Sequence, residues 1–99
     1  RIVLQKSAIN LSDVVLQAVE TCRPQVDARA HQLHVSLPDR PLLIDGDFTR
    51  LTQVVSNLLN NAAKYTDEGG RIEVALESRP GATDDVAVLR VRDNGRGID

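Results

Sequence analysis

Residues 47–70, DFTRLTQVVSNLLNNAAKYTDEGG, constrain this chain more than any other stretch. They form the longest run with a clear helical period. Phe48, Leu51, Val54, Val55, Leu58, Leu59 and Ala62 recur at steps of three and four residues, which predicts one shared buried face. Asp47 suits the N-cap, because its carboxylate can accept from the free backbone N–H groups of the first turn. Gly69 and Gly70 stop the helix soon after Tyr65 and Thr66. At about 100° per residue, Asn57, Asn61 and Lys64 fall within roughly 60° of one another, beside the apolar stripe. Two amides and an ammonium placed there make either a solvated edge or a polar site.

The remaining elements follow from local patterns. Residues 2–9 read as a first strand. Asn10 or Ser12 can cap a helix whose apolar positions Leu11, Val15, Ala18, Cys22, Val26 and Ala30 continue to about His31. Pro24 lies inside that pattern and predicts a kink, since it removes one backbone donor while the stripe resumes in register. Leu33, Val35 and Leu37 alternate with polar residues as in a half-buried strand. Residues 42–44 form a short strand, and Asp45-Gly46 a turn into the central helix. Ile72, Val74 and Leu76 then alternate with Arg71, Glu73 and Glu77, and residues 86–92 pair back on them as an antiparallel hairpin. Strand, helix, two strands, helix, two strands predicts an α/β (α+β) fold, a two-layer α/β sandwich with a mixed sheet covered by helices on one face. On the last strand Arg90 and Arg92 must face solvent. Ala87, Leu89, Val91 and Asp93 therefore point to the helix layer, where a carboxylate needs a donor.

Composition narrows the classes. Ninety-nine residues suit one domain with a modest core, which must be aliphatic because Phe48 and Tyr65 are the only aromatics. A net charge of −2, with no basic run, argues against nucleic acid as a partner. No segment approaches the roughly eighteen apolar residues of a membrane span, so no direct membrane contact is expected. The chain opens on Arg1 rather than Met, which predicts a piece of a longer protein. The single cysteine, Cys22, lies on the apolar stripe and reads as a packed thiol. His31 and His34 are expected at the surface. A helix-to-strand transition between them spoils any metal geometry.

The chain ends in Val91-Arg-Asp-Asn-Gly-Arg-Gly-Ile-Asp99. Gly95 and Gly97 let backbone approach a flat or charged ligand, since no Cβ intervenes. Alone, Asp-x-Gly-x-Gly is also explained by a hairpin turn. Together with Asn57-x3-Asn61-Ala62-x-Lys64-Tyr65-Thr66, however, it resembles the first glycine box and the N box of the ATP-binding domain of sensor histidine kinases. That domain belongs to the superfamily of gyrases, Hsp90 chaperones, MutL proteins and histidine kinases, known as the Bergerat fold. The resemblance covers nearly the whole of residues 1–99, as the N-terminal portion of such a domain. The family's ATP lid, second glycine box and final strands are expected beyond Asp99.

The resemblance implies the roles. Asp93 matches the carboxylate that accepts from the adenine amino group, and Gly95 and Gly97 match the glycines at the nucleotide. Asn61 matches the Mg²⁺ ligand, Lys64 a source of positive charge for the phosphates, and Tyr65 a neighbour of them. Asn57 stands where related ATPases hold a glutamate base. An amide cannot take a proton at neutral pH, which favours transfer of the γ-phosphoryl group to a protein nucleophile over hydrolysis. The implied cofactors are ATP and Mg²⁺. The implied partners are a histidine-bearing dimerisation domain of the same protein and a response regulator. The domain would be cytoplasmic, in a parent that can carry a membrane anchor elsewhere. A serine kinase of the anti-sigma-factor type and a non-catalytic, associating remnant stay open as alternatives. Residues 1–99 alone are expected to be inactive and to form a homodimer.

Overall fold

The computed structural model describes residues 6–93. Its elements are β1 (Lys6–Asn10), α1 (Leu11–Ala28), β2 (Gln32–Ser36), β3 (Leu43–Asp47), α2 (Phe48–Tyr65), β4 (Arg71–Arg79) and β5 (Val86–Asp93). The order is the one the patterns predict, and the two-layer α/β arrangement holds. Strand β4 lies at the centre of a mixed three-stranded sheet ordered β2-β4-β5, parallel to β2 and antiparallel to β5. Strands β1 and β3 form a separate antiparallel pair in which Ile9 faces Ile44. Asp45 and Gly46, expected as a turn, belong to β3. Their pairing with Ala8 and Ser7 outweighs the local turn preference.

Both helix starts are capped by the chemistry the sequence offers. The Asn10 side chain accepts from Ser12 N at 3.1 Å and from Leu42 N at 3.3 Å, so one carboxamide oxygen caps α1 and ties it to the approach to β3. Asp47 Oδ1 accepts from Arg50 N at 3.0 Å. Helix α1 continues through Pro24 and ends at Ala28, short of His31. Ala30 then adopts the left-handed region, φ 54, while Ala30 N donates to Asp27 O and His31 N to Val26 O. These two bonds define a Schellman turn, here built on alanine where glycine would carry less strain.

The core lies between the helices and β4. Val14, Val15, Ala18, Val19 and Cys22 of α1 meet Val55, Leu59, Ala62 and Ala63 of α2 over Ile72, Val74 and Leu76. Helix α2 is turned from its expected orientation. Val54 and Leu58 are 54% and 44% exposed, while Ser56 and Ala63 are buried. The buried arc is rotated by roughly 50° toward α1, because α2 must cover its helical neighbour as well as the sheet. On the outer sheet face Glu77 accepts from Arg79 and, across the hairpin, from Arg90. These bonds, that from Arg79 first, hold its carboxyl below the usual range.

The rotation predicts opposite outcomes for adjacent leucines. Leu59→Ala, at 1% exposure, should cost about 2–5 kcal/mol in chemical denaturation. Leu58→Ala should cost less than about 1 kcal/mol. Equal losses at the two positions would show that the helix faces elsewhere.

Candidate functional site

Helix α2 carries most of the expected site on its solvent side. Asn57, Asn61, Lys64 and Tyr65 are all exposed. Lys64 Nζ stands 5.5 Å from the centroid of the Tyr65 ring, within cation–π range. Among the described residues the carboxamides of Asn57 and Asn61 make no hydrogen bond. The orientation follows from the rotated core face, since residues opposite Val55, Leu59 and Ala63 must project outward. Val54 and Leu58 join this outer flank beside Asn61 and Tyr65. The sequence reading missed that apolar border because the residues also fit the buried stripe.

Asp93 ends β5 on the face that it shares with Leu89 and Val91, and its register partner is the fully buried Ile72. Its direction agrees with the strand parity. It is exposed rather than buried. Asp93 lines a small recess with Arg71, Glu73 and Arg92. Asn57 instead lines a groove between α1 and α2 with Gln17, Thr21, Ser56 and Asn60. Gly95 and Gly97 lie outside the described residues.

His31 departs most from expectation. It was predicted at the surface and is only 7% exposed. The turn at Ala30 carries it beneath the loop that follows α2, where its Nε2 lies 3.1 Å from Thr66 O and 3.0 Å from Asp67 O. Helical spacing could not disclose this, because the helix has already ended. His34 is exposed in β2, as expected.

Cys22 is a packed thiol, fully buried, with Sγ donating to Ser56 O at 3.4 Å. Burial pushes its pKa above the ordinary thiol value, and the Ser56 side chain offsets part of that rise. No described helix is long and apolar enough to cross a membrane.

Residues 46–99 match the family of histidine kinase-, DNA gyrase B- and HSP90-like ATPases. The chain belongs to this family. The sensor histidine kinase TrcS of Mycobacterium tuberculosis is 36% identical over 97 residues, which cover 97% of this chain and 19% of that protein. This chain thus spans about a fifth of the length of TrcS and of the probable sensor histidine kinase TcrY of the same organism. The structure of the mycobacterial sensor histidine kinase MprB aligns at a TM-score of 0.79 and 27% identity, covering 96% of this chain and 59% of that one. The catalytic domain of the histidine kinase ThkA aligns at 0.82 and 21% identity, covering 97% and 63%, and shows the same fold.

The raised thiol pKa makes a signed prediction. The folded state keeps its proton where the unfolded thiol loses it. The contribution is whole below the unfolded value of about 8.5 and shrinks as pH rises toward the folded one. Iodoacetamide at pH 8 should therefore label Cys22 only as fast as the protein opens. Rapid stoichiometric labelling of the native protein would contradict the packing described.

Proposed function

We propose that residues 1–99 are part of the ATP-binding catalytic module of a two-component sensor histidine kinase. The observation that carries this reading is the family match over residues 46–99, with the N-box amides exposed on one flank of α2. Relatives named as sensor histidine kinases favour it over the anti-sigma-factor type of serine kinase and over a non-catalytic remnant. In this reading a cytoplasmic module phosphorylates a histidine on a separate dimerisation domain, and a response regulator receives the group next. In this reading the chain supplies the N box and the first glycine box.

Each residue then has a physical task. Asn61 offers an exposed side-chain oxygen with no partner among the described residues, the kind of ligand a hard cation takes. Magnesium, bound with ATP, supplies charge neutralisation on the phosphates. Lys64 adds positive charge beside Asn61, with Tyr65 as its neighbour. Asp93 accepts from the adenine amino group, and an acceptor left unpaired by other bases favours adenine. Gly95 and Gly97 allow close approach of backbone to the nucleotide. Asn57 orients and hydrogen-bonds but removes no proton, which leaves a protein nucleophile rather than water as the acceptor. Neither histidine of this chain suits that role. His31 is buried against carbonyls, and His34 stands in β2, remote from any His-Glu acceptor motif.

Asn61→Ala in the full-length kinase should abolish Mg²⁺-dependent autophosphorylation and shift stability by no more than about 0.5 kcal/mol, since the side chain is exposed. Residues 1–99 alone should give no phosphoryl transfer. A variant that loses stability and keeps its activity would remove Asn61 from the site.

We also propose that residues 1–99 form a homodimer. Val54 and Leu58 are exposed. An apolar cleft of about 290 Å³ opens among Leu11, Val14, Leu51, Val54, Ala87 and Leu89. Among the described residues β2 and β5 each leave one edge unpaired. A second copy brings the same edge and apolar surface, which a symmetric dimer can bury. Sedimentation equilibrium at tens of micromolar should find a dimer, and a clean monomer of 10.8 kDa would overturn this.

A further inference from the structure

We infer that Arg29 and His31 are positioning residues of the nucleotide site, acting through the backbone of the loop after α2. The inference rests on the function proposed above. Residues 66–70 connect the end of α2 to the start of β4, so the loop joins two parts of the candidate site. One turn before it stand Asn61, Lys64 and Tyr65. Just after it comes Ile72, the register partner of Asp93. Whatever holds this loop holds the phosphate side of the site in register with the adenine side.

The α1–β2 turn holds it at several points. Arg29 Nη2 donates to Thr66 O at 2.8 Å. His31 Nε2 lies within hydrogen-bond distance of both Thr66 O and Asp67 O. Gly69 N donates to Arg29 O and Gln32 N to Gly70 O, each at 2.9 Å. Two carbonyl oxygens cannot face a lone pair, so Nε2 carries the proton and shares it between them. Nδ1 then holds the lone pair, and it is buried without a partner among the described residues. An imidazole accepts that loss only where its other nitrogen is well used.

The carbonyls involved belong to Thr66, the C-cap of α2 with extended backbone, and to Asp67 just past it. The Arg29 cation and the His31 N–H therefore do more than fill space. They fix where the final turn of α2 ends. Arg29 itself is exposed, so its contribution to the core is small. The core face of α2, from Val55 to Ala63, is independent of either residue. Losing the clasp should leave the helix folded and its last turn, with Lys64 and Tyr65, poorly placed against β5.

The test uses the full-length kinase and measures autophosphorylation against Mg-ATP concentration, with thermal midpoints alongside. His31→Ala and Arg29→Ala should each raise KM for ATP about tenfold with kcat changed less than about threefold. His31→Gln, whose amide N–H can reach the same carbonyls, should return KM to within about twofold of wild type, and Arg29→Lys should recover part of the loss. Arg29→Ala should keep its thermal midpoint, so this arm stands even if His31→Ala fails to fold. An unchanged KM in folded Arg29→Ala, or a folded His31→Gln that rescues stability but not KM, would overturn the inference and leave the functional reading intact. A wild-type kinase that neither binds nor uses ATP would overturn that reading and this inference with it.

Discussion

The joint burial of α1 and α2 over the apolar face of β4 is the constraint on which the rest of the molecule depends. Ile72, Val74 and Leu76 are almost wholly covered, and both helices contribute to that cover. Helix α2 cannot serve the sheet alone, because Ala18 and Cys22 of α1 demand a neighbour on its other flank. The compromise turns Ser56 and Ala63 inward and Val54 and Leu58 outward. Everything polar on the opposite side of α2 is thereby presented to solvent. A core requirement thus sets the orientation of the candidate site.

The same logic explains where the molecule places backbone strain. Ala30 occupies a left-handed conformation that favours glycine. The turn it makes closes α1 with two hydrogen bonds and delivers His31 under the loop after α2. Strain at one residue is offset by satisfied carbonyls at three others, Val26, Asp27 and Thr66. The energy of the turn and the geometry of the loop are therefore linked. Glycine at position 30 would relax the first without being needed for the second.

Much of the fold was legible in the sequence. The helix caps at Asn10 and Asp47 could be read from side-chain chemistry within a few residues. The alternation in β4 and β5 and the parity that sends Asp93 to the helix face could be read from the two-residue period of a strand. The common face of Asn57, Asn61 and Lys64 could be read from spacing, because residues three and four apart on a helix share a face wherever it docks. Exposure of Asn57, Asn61 and Lys64 follows from that spacing once the opposite face is buried.

What only the tertiary structure decided is which flank of α2 would be buried, how far into the chain α1 would reach, and what His31 would touch. Val54 and Leu58 satisfy the apolar period as well as Val55 and Leu59 do, and the choice came from the second helix at the border. His31 follows the helical stripe of α1 without belonging to it. Its partners, Thr66 and Asp67, lie 35 and 36 residues away in sequence and offer backbone carbonyls rather than side chains. Composition and periodicity report side chains along one element. A contact made to another element's backbone leaves no trace in either, because every residue carries the same carbonyl.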